Sequence, residues 1–144
     1  MIKNTKIGIL GAAKSGVSAA KLALEMGYKV ILSDIDKSKE INIKSNNQLT
    51  IELGKHSNAI LSCDIIIISP GISPKQLIIK KAIDKGIPVI SEIEFASWFT
   101  DSNILAVTGS NGKSTTVSIL HEIFLSRLLY CRKCFPHIQV EFPP

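Results

Sequence analysis

The stretch Lys6-Ile-Gly-Ile-Leu-Gly-Ala-Ala-Lys-Ser-Gly16 places a short apolar run directly before a glycine turn. The run Lys6–Leu10 predicts a buried strand. Apolar residues at helical spacing follow the turn and predict a helix over Ser15–Met26. A strand, a tight turn and a helix in this order are typical of the opening of an α/β domain.

The same alternation continues along the chain. Further strands are predicted over Tyr28–Ser33, Asp64–Ser69, Pro88–Ile90 and Ile104–Thr108, with a weaker one near Thr50–Leu53, and further helices over Pro74–Lys85, over Glu92–Phe99 and from Lys113 through Phe124 and Leu128. Several strands are almost uninterrupted Ile, Val and Leu, as in strands buried on both faces of a parallel sheet. The predicted fold class is therefore α/β, a Rossmann-like doubly wound parallel sheet with ligands at the carboxyl ends of its strands.

Length and composition bound the domain organisation. At 144 residues and 45% hydrophobic, the chain can bury one good core and has room for little more. We expect a Rossmann-like domain over 1–99 and the beginning of a second domain over 103–124. Residues 125–144 suddenly collect Arg, Cys and Pro, so we expect a truncated or out-of-frame tail. A zinc knuckle from Cys131, Cys134 and His137 is disfavoured because only three ligands are offered.

Charge and hydropathy exclude several classes of protein. The net charge is +5, but the basic residues are spread along the chain and aromatic residues are few, so no nucleic-acid partner is expected. No apolar stretch approaches the ~18 residues of a membrane span, and the N-terminus lacks a secretory signal, so we expect a cytoplasmic protein with no membrane partner. Cys63 beside an apolar strand is predicted to be a buried thiol.

The first glycine turn is similar to the dinucleotide-binding fingerprint. Gly11 and Gly16 match its first and last glycines, and Asp34 stands where a ribose-binding acid would lie. The middle glycine is replaced by Ala13, whose Cβ would obstruct a bound pyrophosphate, so an NAD-dependent oxidoreductase is disfavoured. Two interpretations of this turn remain. Either the tight turn and the helix start face an anion, or the domain binds nothing at this turn.

Two later turns add to this picture. Ser69-Pro-Gly-Ile-Ser-Pro74 follows a strand and either lines the same pocket or is a plain strand-to-helix turn. Thr108-Gly-Ser-Asn-Gly-Lys-Ser-Thr115 follows an apolar run and predicts a phosphate-binding loop, although Val107 replaces the first glycine of the general pattern. In such a loop Lys113 reaches the outer phosphates and the Ser114 hydroxyl can ligate Mg²⁺.

These motifs resemble the Mur ligase family, and within it the branch that adds D-glutamate. The resemblance is carried, over Lys6 to about Phe124, by Gly11-x-x-Lys14-Ser15-Gly16, Asp34, Ser69-Pro-Gly-Ile72, Ser91-Glu-Ile-Glu94 and Thr108-Gly-Ser-Asn-Gly-Lys-Ser-Thr115. It implies that the uridine diphosphate of the substrate is bound by Lys14, Ser15, Asp34, Ile35 and Gly71. It also implies that ATP is bound by Gly109, Ser110, Asn111, Gly112, Lys113, Ser114 and Thr115, with Lys113 and Ser114 catalytic and Ser114 ligating Mg²⁺.

The resemblance also implies a reaction and its partners. The alanyl carboxylate of UDP-N-acetylmuramoyl-L-alanine attacks ATP to give an acyl phosphate, and the amine of D-glutamate displaces phosphate. ATP and Mg²⁺ are the implied cofactors, and a monomer is expected. Because this chain holds only the first domain and the opening of the second, we expect it to be inactive alone. The alternatives are a non-catalytic uridine-nucleotide-binding module and the NAD-dependent oxidoreductase.

Overall fold

The structure, a computed structural model, describes residues 5–44 and 47–130, with side chains through residue 126. The chain divides into two compact units, 1–101 and 102–144. The domain boundaries expected from the sequence, including that of the tail, stay predictions. The zinc knuckle considered for Cys131, Cys134 and His137 lies outside the described residues.

The first unit is an α/β domain built on a five-stranded parallel sheet. Its strands are β1 (Lys6–Leu10), β2 (Lys29–Asp34), β3 (Leu49–Leu53), β4 (Ile65–Ile68) and β5 (Val89–Ser91), in the order β3-β2-β1-β4-β5. The helices are α1 (Lys14–Glu25), α2 (Leu77–Asp84) and α3 (Glu92–Ser97), with a 3-10 turn over Asn58–Ser62. Because the chain moves outward from β1 in both directions, the topology reverses between β1 and β4, the position at which open α/β sheets bind their ligands.

Both faces of the sheet are covered, which explains the uninterrupted apolar strands. On one face, small residues of α1 such as Ala20 and Ala23 pack with Ile9 and Leu32 of the strands. On the other face, the 3-10 turn and α2 pack around Ile60, with Ile31 and Ile66 from the sheet. Successive residues of a strand point to opposite faces, so a strand between two apolar layers needs apolar residues throughout.

The structure corrects two of the element predictions. The strand predicted over Ile104–Thr108 is wrong, because these residues form no strand. A strand needs a neighbour for its backbone hydrogen bonds, and the described part of the second unit contains no other strand. Helix α2 begins at Leu77 rather than Pro74, because the residues before it form a turn in which the Gln76 N–H donates to the Ser73 carbonyl at 3.1 Å. The other predicted elements are confirmed to within two residues.

The second unit contributes one described helix, α4 (Lys113–Tyr130). Its apolar side chains are distributed around the helix, and four of them are about half exposed: Val117, Ile119, Ile123 and Phe124. Taken over the described residues, no helix combines the length and the apolar character that crossing a lipid bilayer requires.

Candidate functional site

The turn after β1 depends on two glycines. Gly11 has a φ of 99°, which residues with a side chain rarely adopt, and its N–H donates to the Ser33 carbonyl at 2.8 Å. A Cβ added to Gly16 would lie 1.9 Å from the Gly11 carbonyl oxygen. The helix therefore starts in direct contact with the turn.

Helix α1 presents free backbone donors at the carboxyl edge of the sheet. Its N-cap, Ala13, has no side chain that could accept a hydrogen bond, and no acidic residue occupies the first turn. The helical hydrogen bonds begin with the Val17 N–H, which donates to the Ala13 carbonyl at 2.9 Å. Lys14 and Ser15 are exposed. Because the first N–H groups of a helix lack internal acceptors and carry partial positive charge, this end of α1 is suited to an anion.

Asp34 holds the turn in place. Its carboxylate is buried and accepts hydrogen bonds through both oxygens: Oδ2 from the Ala12 N–H at 2.6 Å and from Lys39 Nζ at 2.7 Å, and Oδ1 from the Asp36 N–H at 2.9 Å. Burial alone would raise the pKa of Asp34, but the hydrogen bonds from Lys39 and the two backbone groups outweigh it and lower the pKa. The ionised carboxylate thus ties β2 to the glycine turn.

The loop after β4 lies against the same turn. The Ser69 N–H donates to the Leu10 carbonyl at 3.0 Å, and the buried Ser69 hydroxyl lies 3.4 Å from the Gly11 carbonyl oxygen. Gly71 is exposed, and a Cβ added there would meet nothing within 4 Å. The Ile35 side chain is 60% exposed beyond the end of β2. The structure therefore brings the predicted uridine-binding residues to one edge of the sheet.

Three residues at this edge were not predicted from the sequence to belong to the site: Lys39, Ser33 and His56. Ser33 is fully buried, and its hydroxyl lies 2.8 Å from His56 Nδ1 and 3.2 Å from the Lys55 carbonyl oxygen. These contacts tie the segment after β3 to the end of β2. Neither Lys39 nor His56 belongs to a periodic pattern or a glycine motif, so the sequence carried no signal for them.

His56 is expected to make the stability of the first unit depend on pH. Burial lowers its pKa below 6.5, although the charges of Asp34 and Glu52 act in the opposite direction. Between the lowered folded pKa and the ordinary unfolded value of about 6.5, the unfolded chain binds more protons, so the free energy of unfolding falls as the pH falls. Urea unfolding between pH 7.5 and 5 is expected to show a steeper acid loss for the wild type than for His56→Gln. Equal slopes would contradict this.

The predicted phosphate-binding loop of the second unit lies directly before α4. Gly112 has a φ of 77° directly before α4 begins, and the first turn of α4 contains no acidic residue. The Lys113 ammonium lies back over the loop, where it donates to the Gly109 carbonyl and to the Ser110 carbonyl, the latter at 3.2 Å. Lysine, glycine turn and helix start therefore fit a triphosphate.

The donor set fits Mg²⁺ only through phosphate. Within the described residues no three His, Cys, Asp or Glu side chains gather as a metal site. The Ser114 hydroxyl, at the start of α4, is one oxygen that the loop offers to a magnesium ion that phosphate oxygens also ligate.

Comparison with known proteins agrees with these features. Residues 5–91 match the family described as Mur ligase MurD-like, N-terminal domain. A UDP-N-acetylmuramoylalanine–D-glutamate ligase of Elusimicrobium minutum is 44% identical over 123 residues, which cover 84% of this chain and 27% of that enzyme. The ligase of the same name from Bacteroides thetaiotaomicron is 43% identical over 124 residues, which cover 84% and 28%. The chain thus spans little more than a quarter of the length of these relatives.

Solved structures show the same fold. The crystal structure of a murein peptide ligase from Psychrobacter arcticus matches with a TM-score of 0.60 at 25% identity, over 86% of this chain and 27% of that one. A UDP-N-acetylmuramate-alanine ligase from Thermotoga maritima matches with a TM-score of 0.50 at 22% identity, over 90% and 30%, and supports the fold alone. With the glycine turn, its acid and the parallel sheet all in place, the chain belongs to the Mur ligase family, as a MurD-like N-terminal domain.

Proposed function

We propose that this chain is the substrate-binding domain, with the opening of the ATP-binding domain, of a ligase that joins D-glutamate to UDP-N-acetylmuramoyl-L-alanine. The observation that carries the proposal is the uncapped start of α1, held by Asp34 at the carboxyl edge of the sheet. Family membership and the names of the relatives support the choice of substrate.

The uridine diphosphate binds at this edge. The diphosphate accepts hydrogen bonds from the free N–H groups at the start of α1, and the exposed Lys14 and Ser15 side chains add an ammonium and a hydroxyl. The exposed Ile35 side chain offers an apolar surface to the uracil ring, and Gly71 lets the loop backbone approach the ligand. Asp34 keeps the turn in its binding geometry.

The loop of the second unit, with Gly109, Ser110, Asn111, Gly112 and Thr115, binds ATP. When bound, Mg-ATP supplies the phosphoryl group that activates the alanyl carboxylate for amide formation. Lys113, whose ammonium donates to the loop carbonyls in this structure, would stabilise negative charge on the outer phosphates, and Ser114 would hold Mg²⁺. The reaction is a cytoplasmic step of peptidoglycan synthesis, so it serves cell-wall growth and cell division. The enzyme acts as a monomer and has no nucleic-acid or membrane partner.

Titration calorimetry of the purified chain tests the proposal. We expect saturable binding of UDP-N-acetylmuramoyl-L-alanine and none of NADH, because Ala13 stands in the fingerprint and Asp34 is already engaged. Binding of NADH without the UDP compound would overturn the proposal. Mg-ATP is titrated in parallel for the second unit, and no turnover is expected from the chain alone.

A matched pair of lysine variants locates the binding site. Lys14→Met is expected to weaken binding of the UDP compound about tenfold, because it removes a cation at the anion-binding end of α1. Lys21→Met removes the same charge from an exposed position later in the same helix and is expected to bind as the wild type does. Equal dissociation constants for the two variants would place the ligand elsewhere.

A further inference from the structure

Lys39 is the cation nearest to Asp34. It lies in the connection between β2 and β3, and its Nζ is 2.7 Å from Oδ2 of Asp34. The Lys39 side chain is 30% exposed and the Asp34 side chain 5% exposed, so the pair is largely sheltered from solvent. Oδ2 is also the oxygen that accepts the Ala12 N–H at 2.6 Å. The ammonium and the turn backbone therefore share one carboxylate oxygen.

Without Lys39, this arrangement would oppose an anionic ligand. The Asp34 carboxylate is bonded to the turn that leads into α1, so its negative charge stands close to the helix start proposed to bind a diphosphate. A carboxylate beside a diphosphate is a repulsive pair, and screening by solvent is weak where the carboxylate is buried. A paired ammonium cancels the charge and leaves the hydrogen bonds of the carboxylate in place.

The pair also fixes the loop that follows β2. Oδ1 of Asp34 accepts the Asp36 N–H at 2.9 Å while Oδ2 holds Lys39, so the loop is bonded to the carboxylate at two points. Ile35, which the proposed function places on the uracil, lies within this loop. Lys39 is thus in a position to set both the charge and the shape of the nucleotide edge.

We propose that Lys39 is a positioning residue of the nucleoside-diphosphate site: it neutralises Asp34 beside the diphosphate and holds the 34–39 loop in its binding conformation. This inference rests on the proposed function. Lys39 acts through Asp34 and does not need to touch the ligand.

Three single variants test it by calorimetric titration with UDP-N-acetylmuramoyl-L-alanine. Lys39→Met is expected to raise the dissociation constant about tenfold or more. Lys37→Met removes the same charge from the same loop, and in the described structure Lys37 forms no hydrogen bond or ion pair, so it is expected to bind within about twofold of the wild type. Lys39→Arg keeps a cation within reach of Asp34 and should restore most of the affinity.

An Asp34→Asn background separates positioning from direct contact. If Lys39 acts through the carboxylate, adding Lys39→Met to Asp34→Asn should weaken binding by less than about threefold further. A full tenfold loss in that background, or equal affinities of Lys39→Met and Lys37→Met, would overturn the inference while leaving the proposed function intact. Failure of the wild type to bind the UDP compound would overturn the proposed function, and this inference with it.

Discussion

Alanine at Gly16 is expected to destabilise the first unit by about 3 kcal/mol or more. The new Cβ would lie 1.9 Å from the Gly11 carbonyl oxygen and 2.9 Å from the Ser69 hydroxyl. The nearest atom belongs to the backbone of the turn, so no side-chain rotation can relieve the overlap. Either α1 moves away from β1 or the turn opens, and both separate α1 from the core that it covers.

Urea unfolding followed by the fluorescence of Trp98, the single tryptophan, measures this effect. Gly71→Ala is the matched control, because a Cβ there meets nothing within 4 Å, and it is expected to change the free energy of unfolding by no more than about 0.5 kcal/mol. A Gly16→Ala protein as stable as the control would show that the turn is more adaptable than its contacts indicate.

Alanine at Asp34 is expected to cost about 2–3 kcal/mol of stability at neutral pH and to abolish measurable binding of the UDP compound. The substitution leaves the buried Ala12 N–H without its acceptor and Lys39 without its ion pair. Asp34→Asn keeps an oxygen acceptor but loses the charge, so its stability should lie between those of the wild type and Asp34→Ala.

The pH dependence of the Asp34 variants provides a second check. The pKa of Asp34 is lowered from 3.8 in the folded chain, so its contribution to stability is fully present above about pH 3.8 and is lost as the pH falls through the lower folded value. The gap in unfolding free energy between the wild type and Asp34→Ala should therefore be constant near neutral pH and narrow in acid. A gap that does not change with pH would mean that the charge of Asp34 contributes nothing.

The strands of the sheet could be predicted from the sequence because burial on both faces requires an almost uninterrupted apolar run. The strand of four consecutive isoleucines, β4, and the mostly apolar β1 and β2 lie between two apolar layers, where such runs are expected. The run Ile104–Thr108 is also apolar, but it is mostly exposed and forms no strand, because a strand needs a neighbouring strand and the described part of the second unit offers none.

The candidate site was predictable in position but not in its contacts. Gly11 and Ser69 each follow a strand and Asp34 ends one, and parallel strands bring their carboxyl ends to one edge, so their proximity follows from order along the chain alone. Lys39 and His56 reach Asp34 and Ser33 through irregular connections. The path of such a connection depends on tertiary packing, which leaves no periodic signal in the sequence.

The pairing of β1 with β4 has a consequence for the order of folding. Ile7 is in register with Ile65, and Leu10 with Ile68, so the centre of the sheet joins segments 58 residues apart, whereas β1 and β2 meet across a shorter loop that α1 spans. Closing the longer loop costs more chain entropy, and this cost arises before the stabilising contacts between β1 and β4 can form. During synthesis, β1, α1 and β2 can therefore assemble while β4 is still inside the ribosome, and the glycine turn receives its covering residue, Ser69, only after β4 has emerged.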